Sequence, residues 1–182
     1  MPHSTNVPYL NKKNIDKYLN ELSLEILRRG VGTTEILVVG GSAIALNHRF
    51  GRATVDIDIC VQQQNRLYEC IIAVAEKEQI NEDWMNADVM HSLSFSYQLF
   101  NGAMPYRTFN NVLSVYTVND LDLVCMKLKA MRPKDGTDIL KLAPILKNNR
   151  ITKEDIMIRI EQLYCTRFLE ARAIKMLNTT FR

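Results

Sequence analysis

Apolar residues recur at three- and four-residue steps from Ile15 through Tyr18, Leu19 and Leu22 to Ile26, which predicts an amphipathic helix. Asn11 stands where a cap is needed, and Gly30 and Gly32 end the pattern. The period then changes. Ile36-Leu37-Val38-Val39 is a short branched run that reads as a strand, stopped by Gly40-Gly41. Ser42 opens a short helix reaching about Asn47, and residues 56–61 read as a second strand. Leu67, Cys70, Ile71 and Val74 mark one face of a helix over roughly residues 65–77.

Further along, Leu93, Phe95, Tyr97 and Leu99 alternate with polar residues, which predicts a half-buried strand over 92–100. Residues 112–118 predict another strand. Asn119 caps a helix with Asp120 and Asp122 in its first turn, running through Lys127 and Lys129 to about Ala130. Residues 135–147 are helical. Thr152-Lys153-Glu154-Asp155 resembles a capping box with Asp in the Glu/Gln position, and opens a long last helix. The organisation expected is a loose lead-in over 1–10, a mixed α/β core over 11–147, and a helical segment over 148–182 packing on that core.

The stretch "VVGGSAIALNHRFGRATVDIDIC", from Val38 to Cys60, does not fit a purely structural pattern. On a strand, residues two apart point to the same face with Cα atoms about 6.6 Å apart. Asp56 and Asp58 therefore project together, with Val55, Ile57 and Ile59 on the other side. Paired carboxylates at a core repel one another and lose hydration, so a positive group belongs between them. A divalent cation answers best, because Mg²⁺ takes one or two carboxylates together with waters and substrate phosphates. Gly40 and Gly41 let backbone approach a ligand, and the helix starting near Ser42 aims N–H groups and a positive dipole end at an anion. The turn lacks both a P-loop Gly-Lys-Ser/Thr and a GxGxxG. A rival reading pairs Asp58 with Arg49 or Arg52 in a core that holds no ligand.

Composition narrows this picture little. In 182 residues, 47% hydrophobic and 24% charged, there is material for one ordinary core. The net charge of +3 is distributed unevenly: residues 1–126 hold 10 Lys/Arg against 14 Asp/Glu, residues 127–182 hold 13 against 6. A basic C-terminal third suits a polyanion or an acidic partner, or a solvated helix surface. Cys60, Cys70, Cys125 and Cys165 form no CxxC pair and lie in apolar patterns, so they read as buried hydrophobes of a reducing compartment. There is no apolar run near bilayer length and no signal core, so a cytoplasmic location without membrane is expected.

The ordered set of strand, Gly-Gly-Ser, short helix, basic loop and Thr-x-Asp-x-Asp resembles the nucleotidyltransferase superfamily, whose fold is shared with DNA polymerase β. "VVGGSAIAL…RATVDID" is most similar to a bacterial subset that includes abortive-infection toxins of type IV toxin–antitoxin pairs. "DLDLVCMKLKAMRPKDGTDILKL" and "EDWMNADV" add to the likeness, which covers about residues 36–142. The resemblance implies an α+β fold: a small mixed sheet of the nucleotidyltransferase type flanked by helices, with a C-terminal helical extension. It implies Mg²⁺ or Mn²⁺ on Asp56 and Asp58, and an NTP held by Gly40, Gly41, Ser42, Arg52 and Thr54. Lys127 would neutralise phosphate charge beside the catalytic Asp56 and Asp58, and Asp135 and Asp138 would orient Lys127 or Arg132, or cap the 135–147 helix. The activity implied is transfer of an NMP to a hydroxyl of RNA, protein or a small molecule, with a cognate toxin or antitoxin as a possible partner. One feature departs from the pattern. Active members carry a third carboxylate on a later strand, where "NVLSVYTV" offers Ser114 and Tyr116 and no acid; Asp88 would have to substitute. An NTP-binding regulatory or antitoxin protein without turnover is the alternative.

Overall fold

The computed structural model describes residues 9–50, 54–62 and 66–182. The chain divides into two compact units, Met1–Val89 with Met104–Thr117, and Met90–Ala103 with Val118–Arg182. The fold is α+β, with a mixed open sheet flanked by helices, as the sequence predicts.

In the first unit, helix α1 (Lys12–Arg29) starts at Asn11, whose side chain accepts from the Lys13 and Asn14 amides while Asn14 answers the Asn11 N–H. It ends at Gly30, which adopts φ 60° and returns its N–H to Ile26 and Leu27. Ile15, Leu19, Leu22 and Ile26 are fully buried, so the three–four pattern is the core face of this helix. Strand β1 (Thr34–Val38), helix α2 (Gly40–Asn47), strand β2 (Ile57–Cys60), helix α3 (Leu67–Glu78) and the two-residue strand β3 (Met85–Asn86) follow. Strands β4 (Met104–Phe109) and β5 (Leu113–Thr117) complete a five-stranded sheet of order β3-β2-β1-β5-β4. The pairs β1/β5 and β2/β3 are parallel; β1/β2 and β4/β5 are antiparallel. Trp84, 2% exposed, anchors the β3 end of the sheet by donating its indole N–H to Ile71 O at 3.0 Å and packing edge-on against Tyr18.

The second unit contains helices α4 (Asp120–Ala130), α5 (Asp135–Asn148), α6 (Lys153–Tyr164) and α7 (Ala171–Thr180). Asn119 caps α4 by accepting from the Asp122 amide. The Thr152–Asp155 capping box opens α6 as expected. Asp122, buried in α4, receives Nε and Nη2 of Arg159 from α6 at 2.5 and 2.9 Å.

Several expectations are corrected. Residues 92–100 form turns and a 3-10 segment, Tyr97–Gly102, not a strand; Leu93 and Tyr97 are exposed. Ser96 is one reason, since its hydroxyl accepts from the Gln98 amide and starts the 3-10 segment; the Ser92 and Ser94 hydroxyls bond each other. The long last helix breaks at Cys165, which adopts φ 54°, and resumes as α7; Cys165 is exposed, unlike the other three cysteines. Val55 is also exposed.

Replacing Trp84 by Ala empties the joint between α3 and β3, and is expected to lower stability by about 3–5 kcal/mol, read as a lower urea midpoint.

Candidate functional site

The antiparallel pairing of β1 with β2 sets Val38 opposite Ile59, and the Val39 amide donates to Asp58 O at 3.0 Å. The chain leaves β1 at this point and turns through Gly40 at φ 64° into α2. A Cβ on Gly40 would lie 2.6 Å from Asp58 Oδ2, and one on Gly41 would lie 3.3 Å from Thr54 Oγ1. Close approach and positive φ together favour glycine at 40, where the Asp58 carboxylate rests against bare backbone; at Gly41 a side chain would meet only a tight contact with Thr54. No side chain caps α2, whose N-cap is Val39. The N–H groups of its first turn lack intrahelical partners by geometry and carry the positive end of the helix dipole.

Asp56 lies in the bend before β2, half-buried, and Thr54 Oγ1 donates to its Oδ1 at 3.3 Å. Ile57 is fully buried and Asp58 is again half-buried, on the strand face opposite Ile57. Ser42 is 1% exposed, and its hydroxyl donates to Asp56 O at 2.7 Å. That bond pins the start of α2 to the Asp56 backbone and engages the Ser42 hydroxyl inside the fold. Burial, with the Asp58 charge added, pushes the Cys60 thiol up to about 12, so Cys60 is an inert neighbour.

Gly40, Gly41, Ser42, Thr54, Asp56 and Asp58 are thus drawn together in the first unit. Arg52 lies outside the described residues. Lys127 belongs to the second unit. Its ammonium is 3% exposed and donates to Asp135 Oδ1 at 3.2 Å and Asp138 Oδ2 at 2.7 Å, tying α4 to α5. Asp135 also accepts the Arg132 amide at 2.7 Å and its Nε at 3.3 Å. Asp135 and Asp138 therefore orient Lys127 and, through Asp135, Arg132. Asp88 is exposed, and β5 contributes Ser114 and Tyr116 without an acid. Among the described residues no group of three or more His, Cys, Asp or Glu is placed to hold a metal ion. A cation at Asp56 and Asp58 would complete its shell with water and phosphate oxygens, the usual habit of Mg²⁺.

One residue at the site escapes the sequence reading. The parallel β2/β3 register sets Asn86 beside Asp58. The signal available was the alternation Met85–Asn86 after a buried tryptophan, too short to stand as a strand without its partner.

A glycine turn that opens a helix against an Asp-x-Asp strand of a mixed sheet is the arrangement of a nucleotidyltransferase. The chain belongs to the family described as "Nucleotidyltransferase of unknown function (DUF6036)", whose family model matches residues 13–181. No curated protein and no solved structure matches it.

Two substitutions test this geometry. Gly40→Ala is expected to cost about 1–2 kcal/mol from its positive φ alone, and more from the clash with Asp58, in urea unfolding. Lys127→Met removes the ammonium from Asp138 and leaves Asp135 with Arg132 alone, and is expected to cost about 3–5 kcal/mol in the same measurement.

Proposed function

We propose that the chain is a Mg²⁺-dependent nucleotidyltransferase, equally served by Mn²⁺, that moves an NMP from an NTP to an acceptor hydroxyl. The observation that carries the reading is the contact of the Gly40 backbone with the Asp58 carboxylate, which brings an uncapped helix start and an acid pair to one place. Asp56 and Asp58 hold the cation, which supplies charge compensation for the triphosphate and the leaving group. The Gly40, Gly41 and Ser42 amides face the phosphates, with Thr54 and Arg52 completing the set. In the reaction the acceptor oxygen bonds to the α-phosphorus as the bond to the β-phosphate bridge breaks. Pyrophosphate leaves, and the hydroxyl proton passes to solvent. The protein's contribution is positioning and preorganised charge.

RNA, a protein side chain or a small molecule can supply the acceptor hydroxyl. In the second unit Asp122, Asp135, Asp138, Glu154 and Glu161 are already bound to basic side chains, while Lys134, Lys141, Arg150 and Lys175 are exposed. That imbalance supports a polyanionic or acidic partner, a cognate toxin or antitoxin among them. No helix among the described residues is long and apolar enough to cross a membrane, and the reading places the protein in the cytoplasm with its NTP.

That no third acid joins Asp56 and Asp58 in a metal-holding group among the described residues favours a second reading, an NTP-binding regulatory or antitoxin protein without turnover. Incubation with each labelled NTP, Mg²⁺ and candidate acceptors separates the two. Transfer above that of the Asp56→Ala/Asp58→Ala double variant is the expected result. Calorimetric binding of Mg–NTP without product supports the second reading, and no binding at all rejects both.

A further inference from the structure

Strand β3 is two residues long, and its register with β2 is unambiguous: Met85 stands beside Ile57, Asn86 beside Asp58. Ile57 and Met85 are 0% and 2% exposed, so this pair faces the core. Side chains alternate across a strand, which puts Asp58 and Asn86 together on the opposite face, both half-buried. That is the face on which Asp58 meets the Gly40 backbone.

The Asn86 amide is oriented. The Asp88 backbone N–H donates to Asn86 Oδ1 at 3.1 Å, closing a turn of the kind asparagine makes with the amide two residues on. A backbone N–H only donates, so the atom it reaches is the carbonyl oxygen. The side-chain NH₂ is then the group left for the face shared with Asp58, and an NH₂ is a donor without acceptor capacity. A donor there suits an anion.

We propose that Asn86 is a further nucleotide-binding residue, whose NH₂ donates to a phosphate oxygen of the NTP held beside Asp58. This rests on the nucleotide-site reading above and deepens it. Asn86 is then not the position of a missing third acid: it supplies a neutral donor beside an acid pair, where another carboxylate would repel the triphosphate.

The two roles predict opposite effects of one substitution. Asn86→Asp keeps the acceptor for the Asp88 amide, and so the turn, but removes the donor and adds a charge. Binding of Mn²⁺ alone, and of ATP, GTP, CTP and UTP with Mn²⁺, is measured by calorimetry for the wild type, Asn86→Asp, Asn86→Ala and Asp56→Ala/Asp58→Ala. A hydrogen bond to a charged group accounts for roughly 10–100-fold in affinity. Asn86→Ala is expected to weaken the best-bound nucleotide about tenfold while leaving Mn²⁺ affinity unchanged. Asn86→Asp is expected to weaken nucleotide more than Asn86→Ala does. Tighter nucleotide binding by Asn86→Asp, unchanged nucleotide binding by both Asn86 variants, or an equal loss of Mn²⁺ alone in Asn86→Ala overturns the inference while leaving the site reading intact. Nucleotide binding that survives in Asp56→Ala/Asp58→Ala, or is absent from the wild type, overturns the site reading, and the inference with it.

Discussion

Asp58 and the first turn of α2 can touch only because residue 40 has no side chain. The register of β1 against β2 brings the end of one strand to the start of the other, and the chain must then turn within contact distance of a carboxylate. A left-handed turn at Gly40 is the solution, and it starts the helix at that spot with no side-chain cap. The Ser42 hydroxyl closes the arrangement from inside by holding the Asp56 carbonyl. Attraction of the helix dipole for Asp58 and repulsion between the two acids act at the same place.

Much of this was legible in the chain because local chemistry and tertiary role coincide. Asn11, Gly30, Asn119 and Thr152 start or stop helices by hydrogen bonds within a few residues, so their meaning survives without knowledge of the fold. The acid pair and the glycine turn were legible for a different reason: carboxylates two apart in a strand-like run, after a Gly-Gly turn, serve no packing purpose.

What misled was periodicity without context. Leu93 to Leu99 alternates like a strand, yet the Ser96 hydroxyl takes the Gln98 amide to start a 3-10 segment and only Leu99 reaches the core. Strand β4 went unseen because it is an edge with an exposed Met104 and a Pro105, which an edge tolerates and a central strand does not. The surroundings of Lys127 were only partly legible. Helical spacing cannot tell whether an ammonium meets solvent, phosphate or two buried carboxylates, and here it meets the carboxylates. Asn86 was invisible because its significance comes wholly from a strand partner far away in sequence.

The anchoring of β3 has an optical consequence. Trp84 is the protein's single tryptophan, sealed from water, with its indole N–H engaged, two positions before Asn86. Its emission is a native probe placed where the hydrophobic interior of the first unit adjoins the Asp58 face. Tryptophan fluorescence can therefore follow events at that end of the sheet without a dye or a label, while direct signal from the helices of the second unit must come from tyrosine.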